Sequence, residues 1–585
     1  MIKKYLVILF LPLILCSQDE KLRIETINVF KEFQPQIANS KKIGEQPIFN
    51  DTLSVNVISP QSILNKNLKF KETIFFKSPS KFRLHKVNNN LQKYFFINVG
   101  SHTFLNTKFH YNNGLSVVHN SGLYLEHNSE DYTLNSPHYT NLNGELKNSI
   151  KLYSNRFLND KLLEISFQFT RKSGLYWAML EDFPIDTISN FIGNLFNIQA
   201  NLKQIPNSSF LKSIDLELYS FAHNYNRKEL CLNSSLYFEL EKALRKYSFS
   251  ISYKMVHATL SPDWMIIDNL SFNPQIESGF YHDEMSDILF KSQLMISGSK
   301  FVEYSLGLDF QYYKLMNMVR YSDSEFNDIK YLIFPNIKIF KNIKNNQRIE
   351  FLIEKDLKYH SFSSLFHNIS YLDPYYRNSV ENEIKFALMY NKQFSENISF
   401  FSSVNYNVFK NKLTPFLLSS DTEYSSLFTQ HNTLMNPLSF YESDFNGVVG
   451  SSSLSFSKNQ YDLLISGTVN MLHSSEHIDR NMFPLIELNS ILTVNLFENF
   501  DISSDAYFVG AREALRIPSL FISDSNLTYV DLESYFNLNL SMQYAFQNMI
   551  FSLDFNNLFG QRMEFFDSYY DDDRMKFRFG FLYHF

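Results

Sequence analysis

Phe577, Phe579, Phe581, Tyr583 and Phe585 alternate with Lys576, Arg578, Gly580, Leu582 and His584, so the sequence closes on a run with a two-residue period. That period belongs to a β-strand, whose successive side chains point to opposite faces. One face here is wholly aromatic and the other mostly polar. The segment before it repeats the pattern, with Met549, Phe551, Leu553 and Phe555 against Ser552, Asp554 and Asn556. Before that, Leu532, Phe536, Leu538, Leu540, Met542 and Tyr544 alternate with Asp531, Glu533, Asn537, Asn539, Ser541 and Gln543.

A soluble sandwich and a membrane barrel would both give this alternation. Three features favour the barrel: strands of roughly ten residues or more, aromatic residues concentrated on the apolar face, and short turns alternating with long loops. Gln547-Asn548 and Glu498-Asn499 are tight connections, whereas 556–573 and 511–528 are long. Alternating segments continue upstream at 483–496, 459–473, 397–410, 381–393, 345–357, 300–313, 285–297, 244–256, 213–228, 158–172, 142–155 and 93–126. A closed bacterial barrel prefers an even number of strands, and sealing each backbone N–H and C=O against a neighbour is what lets strands cross lipid. The expected fold is all-β: a large antiparallel transmembrane β-barrel of about 22 strands with a short N-terminal extended segment.

Composition agrees, with 59 Phe and 35 Tyr against 2 Trp, and a charged fraction of only 19%. The apolar stretch Tyr5 to Cys16 follows Lys3-Lys4 and is too short to span a bilayer as a helix, so residues 1–17 read as a secretory signal peptide cleaved after Ser17. A lipoprotein signal through Cys16 is disfavoured by Leu15, which stands where a small residue is expected. Removal of that segment leaves Cys231 alone and excludes an intramolecular disulfide. A net charge of -6 and the lack of a basic run argue against nucleic-acid binding. Residues 18–92, broken by Pro35, Pro47, Pro60 and Pro79, show little alternation and read as a periplasmic or lumen-lying segment ahead of a barrel over 93–585.

Three stretches resemble the barrel region of TonB-dependent receptors: Tyr529-Val530-Asp531-Leu532 opening a strand, Leu553-Asp554-Phe555-Asn556-Asn557-Leu558-Phe559-Gly560, and Phe579-Gly580-Phe581-Leu582-Tyr583-His584-Phe585. Val29-Phe30-Lys31-Glu32-Phe33-Gln34-Pro35, Asn98-Val99-Gly100-Ser101 and Gly122-Leu123-Tyr124-Leu125-Glu126-His127 are similar to the start of a plug-lacking, receptor-like group of Bacteroidota outer-membrane proteins. The resemblance implies the Gram-negative outer membrane, a periplasmic N-terminus, and Phe581, Tyr583 and Phe585 as a signal to the barrel-assembly machinery. Glu25-Thr26-Ile27-Asn28-Val29 resembles a TonB box, which a periplasmic partner captures by strand addition.

Candidate chemistry is sparse. His119 and Ser121, like His127 and Ser129, lie two apart on one strand face, the spacing of the His-x-Ser pair of outer-membrane phospholipase A. Chance pairing in an Asn- and Ser-rich chain is the blander explanation. Asp571-Asp572-Asp573 offers oxygen ligands to a hard cation, but lacks the alternating spacing of a calcium loop. His473 and His477 with Glu476 would suit zinc only on a helix. Asp554, Lys576 and Arg578 either line a luminal pathway or pair across it.

No enzyme and no cofactor is therefore expected. The expected function is solute transport or reception, with outer-membrane lipid around the barrel and TonB or a lumen-closing protein as partner. The alternative is a docking barrel through which nothing passes, and a hydrolase ranks third.

Overall fold

The computed structural model describes residues 93–585 except for parts of the loops, the longest being 176–189, 261–282 and 418–437. The expected signal peptide, the 18–92 segment and Glu25, Thr26, Ile27, Asn28 and Val29 lie outside the described residues. Twenty-two strands form one sheet. It closes because the first strand, Tyr94–Gly100, pairs antiparallel with both Leu105–Asn112 and the last, Lys576–His584.

All other wall pairings join neighbours along the chain, so the barrel is a simple up-and-down antiparallel circuit. Its two ends differ. At one end the strands turn tightly, as at Phe546↔Met549 and Leu158↔Lys161. Gln547 (φ 52) and Asn159 (φ 54) take the left-handed conformation that such reversals need, which Asn adopts more readily than most residues. At the other end the loops are long, and two of them carry ribbons of their own, Arg512–Arg516 with Thr528–Leu532 and Met563–Phe566 with Tyr569–Asp571.

One expectation is corrected here. Tyr529-Val530-Asp531-Leu532 does not open the wall strand, which begins at Tyr535; it belongs to a loop ribbon in which Leu532 is buried. Glu533 and Ser534 separate the two. A gap of two residues preserves even and odd parity, so a period-two pattern runs through the break unaltered.

The sheet has an inverted polarity. Phe95, Val99, Leu216, Leu218, Leu306, Leu308, Phe386, Leu388, Phe577, Phe579 and Tyr583 face outward and are exposed, whereas Asn98, Ser403, Asp554, Lys576 and Arg578 face the lumen and are buried. Such a belt is stable only in lipid, with the closed ladder satisfying the backbone. No described helix is long and apolar enough to cross a membrane; the strands make the crossing.

The aromatic face of the last strand continues around the closure. Phe581 lies 5.3 Å from Phe551, and Phe585 stacks at 6.0 Å on Phe109. Two backbone bonds fasten the end, Phe585 N–H to Lys93 O (3.1 Å) and His584 N–H to Asn548 O (2.8 Å). We expect Leu388→Lys, on the outward belt, to destabilise the barrel in liposomes by about 2–4 kcal/mol, measured by urea unfolding. The luminal Ser250→Lys should change stability by less than ~1 kcal/mol, because its ammonium group remains in water.

Candidate functional site: a hairpin folded into the lumen

Between Glu325–Ile343 and Gln347–His360 the ladder runs only from Ile343↔Gln347 to Ile337↔Ile353. Beyond that point each strand keeps its other neighbour: 325–336 remains on Glu303–Met318, and 354–360 remains on the strand Ser379–Ser395. The tip of the hairpin thus leaves the wall, and its contacts place it inside the barrel.

Leu357, Tyr359 and Val380 pack on Leu289, Tyr313 and Leu315 of the two preceding strands and on Leu332 of the strand from which the hairpin parts. Tyr359 Oη donates to Asp287 Oδ2 at 2.7 Å, and Lys254 Nζ sits 4.8 Å from the Tyr359 ring. Lys358 holds the hairpin's two strands together, reaching Glu381 at 3.4 Å and Glu383 at 3.1 Å.

The hairpin then forms the short helix Phe362–Asn368. Ser361 caps it, its Oγ accepting the Ser364 N–H at 3.2 Å. Four-residue spacing puts Phe362 and Phe366 on one face. That face seats in an aromatic clasp on the wall: Phe366 lies 5.8 Å from Phe191, 5.3 Å from Phe221 and 5.2 Å from His223. Gly193 makes the seat, since a Cβ there would come within 2.6 Å of Phe366 Cζ. At the helix end Lys172 Nζ donates to His367 O at 2.6 Å.

Under the helix lies an ion pair with no exposed side-chain surface, Arg227 with Glu229 at 3.0 Å. Arg227 also stacks 4.2 Å from the Phe362 ring centre and donates to Asn378 Oδ1 at 3.3 Å. Glu229 Oε2 accepts the Ser363 N–H at 3.0 Å, and Asn378 Oδ1 accepts the Phe362 N–H at 3.1 Å. Asn378 Nδ2 donates to Asp287 Oδ2 at 2.9 Å. The ion pair is therefore satisfied largely by the inserted segment. Removal of one partner would leave a buried charge, at a cost of about 3–5 kcal/mol. The arrangement fastens the hairpin to the wall.

A second cluster stands at the seam. Arg578 Nη2 makes a forked contact with Glu130 at 3.0 and 3.1 Å, Lys576 approaches it at 3.7 Å, and the guanidinium lies 3.8 Å from the Phe104 ring centre. Asp554 accepts from Ser541 Oγ at 2.5 Å. These luminal residues pair with side chains of nearby strands along the wall.

The two His-x-Ser pairs face outward. His119 hydrogen-bonds Ser154 at 3.1 Å and His127 Nδ1 meets Asn148 Oδ1 at 2.7 Å, so each imidazole is held by the next strand rather than by the serine beside it. Among the described residues, no group of three or more His, Cys, Asp or Glu side chains is placed to hold a metal. His473 sits on a strand, not a helix, and exposed; Glu476 and His477 lie outside the described residues, as do Asp572 and Asp573.

Sequence reasoning did not single out this hairpin. Its available signals were Arg227-x-Glu229 on one strand face, Phe362 and Phe366 four apart, and Pro335 within a strand.

No protein family and no curated protein matches the sequence. Solved structures do. The FrpB iron transporter from Neisseria meningitidis aligns with a TM-score of 0.63 at 10% identity, over 85% of this chain and 82% of that one. The siderophore receptor PirA from Acinetobacter baumannii gives 0.60 at 11% identity, over 86% and 81%. The ferripyoverdine receptor of the outer membrane of Pseudomonas aeruginosa gives 0.58 at 9% identity, over 87% and 72%. At these identities the likeness is one of fold.

We expect Gly193→Val to displace Phe366 from its seat. Limited proteolysis should then cut within 361–378 several-fold faster, while the heat-modifiable mobility of the barrel stays unchanged. Arg227→Met should act in the same direction by stranding Glu229.

Proposed function

We propose that the chain is a gated outer-membrane barrel that receives or takes up a solute at the cell surface. The observation that carries this reading is the hairpin folded into a polar lumen and locked there by Arg227 and Glu229. A barrel of 22 strands would otherwise enclose a wide channel, and a purely structural barrel has no need of such a lock. The iron and siderophore receptors that share the fold support a role of the same kind.

In this reading the tight-turn end faces the periplasm and the long-loop end the exterior, as in other barrels of the outer membrane. Residues 1–17 direct export, and 18–92 lies in the periplasm or the lumen. Glu25 to Val29 offers itself to TonB as an added strand, and Phe581, Tyr583 and Phe585 are read by the barrel-assembly machinery. The chain is then a plug-lacking relative of TonB-dependent receptors, of the kind found in Bacteroidota, with its own hairpin in place of a separate plug. The solved structures that share the fold are transporters and receptors, which supports a non-enzymatic role.

Single-channel conductance in a planar bilayer tests this reading. The full chain should be silent or nearly so; removal of 361–378 together with 18–92 should give large, stable steps. Silence in the doubly deleted, correctly folded barrel would replace the gated channel with a docking barrel.

A further inference from the structure

The fork that releases the gate also leaves a gap in the wall. On Glu303–Met318 the outward row runs through Tyr304, Leu306, Leu308, Phe310 and Tyr312, a belt bounded by tyrosines. Its partners on the next strand are Ile339, Ile337, Pro335, Ile333 and Tyr331. The ladder toward Gln347–His360 stops at Ile337↔Ile353, so it ends within the belt rather than above it. Among the described residues, the edge of 325–336 that faces 354–360 has no strand beside it.

Two residues account for the break. Pro335 has no N–H to contribute to a ladder and sits two positions past the last pair. Lys355, continuing the outward row of Ile349, Phe351 and Ile353, would enter the lipid face, where a charge is costly. It lies instead with its ammonium 5.8 Å from the ring centre of Phe334, on the opposite side of the gap. Ile333 (71%) and Tyr331 (68%) flank the opening and are among the most exposed large apolar residues of the barrel.

On the neighbouring strand Glu303–Met318, on the luminal face, are buried side chains with unpaired polar atoms, although Asp309 Oδ2 accepts from Asn336 Nδ2 at 3.4 Å. Asp309, Gln311 and Tyr313 are opposite Phe334, Leu332 and Lys330 in the ladder. They are 1%, 2% and 0% exposed. Among the described residues, Asp309 Oδ1, both polar atoms of Gln311 and Tyr313 Oη have no hydrogen-bond partner. Leaving buried polar groups unmet costs about 1–3 kcal/mol each, so a row of three favours any polar group that reaches them.

We infer that the gap between 325–336 and 354–360 is a lateral portal for a single-chain amphiphile, whose uncharged head, bearing both hydrogen-bond donors and acceptors, binds Asp309, Gln311 and Tyr313. Asp309 accepts, Tyr313 donates and Gln311 does both, which matches a hydroxyl- or amide-bearing head. The acyl chain leaves between Ile333 and Lys355 into the surrounding lipid. This route rests on the lipid-embedded placement of the barrel and is independent of solute passage along its axis.

Native mass spectrometry of the full chain tests it, with 1-monolauroylglycerol as probe and methyl laurate, which lacks a donor, as control. We expect a one-to-one adduct favoured over methyl laurate by roughly tenfold, the equivalent of one or two hydrogen bonds. Gln311→Leu and Tyr313→Phe should each weaken it several-fold, with heat-modifiable mobility showing that the barrel still forms. A bismaleimide bridge across Pro335→Cys and Lys355→Cys, in a Cys16→Ser background where native Cys231 is buried, should block the adduct when made before exposure and trap it when made after. The same bridge should leave the conductance of the gate-deleted barrel unchanged, which separates failure of this portal from failure of the axial gate. Equal adducts with both esters, tighter binding of laurate than of monolauroylglycerol, indifference to Gln311→Leu, or an adduct unaffected by the bridge would each overturn the assignment.

Discussion

In hydrocarbon there is no water to take up an unpaired backbone N–H or C=O, and this single requirement organises the molecule. It forces the first strand onto the last, Phe95 opposite Tyr583 and Val99 opposite Phe579, so that no edge remains at the closure. It also fixes the alternation, because a strand sealed on both edges meets lipid on one face and lumen on the other. The Phe and Tyr rows follow from the first of these faces, and the luminal Asn, Ser and ion-paired side chains from the second.

The fork after Ile337↔Ile353 is the place where that requirement is relaxed, and both notable features of the barrel follow from it. On the luminal side, the released tip of 354–360 carries its helix to the strands that hold Phe191, Phe221 and Arg227 and seats Phe366 over Gly193. On the lipid side, an edge beginning at Pro335 is left beside a gap. Gate and portal are thus consequences of one interruption, to which Pro335 and Lys355 contribute.

The gate is held by interactions of opposite character. Phe362 and Phe366 bury aromatic surface, which holds without directional demands. Arg227 and Glu229 are costly to bury and tolerable only while Ser363, Asn378 and Phe362 complete their contacts. Withdrawal of the helix would expose the pair to solvent and recover hydration, which offsets part of the lost contact energy.

The sequence by itself determined the architecture. A two-residue period repeated with aromatic residues on one face, tight turns such as Gln547-Asn548 alternating with long loops, and an even strand count are local properties of the chain, and they led to a barrel of about the observed size. Where parity is insensitive, as across Glu533 and Ser534, the pattern misplaced a strand start. The tertiary structure alone decided which strands part company. Whether 354–360 stays in the wall depends on what its side chains meet inside the barrel, and Tyr359 finds Asp287 more than seventy positions away. Period and composition describe a strand against a generic lipid and a generic lumen; the gate and the row Asp309, Gln311 and Tyr313 depend on specific partners that only closure of the circuit brings together.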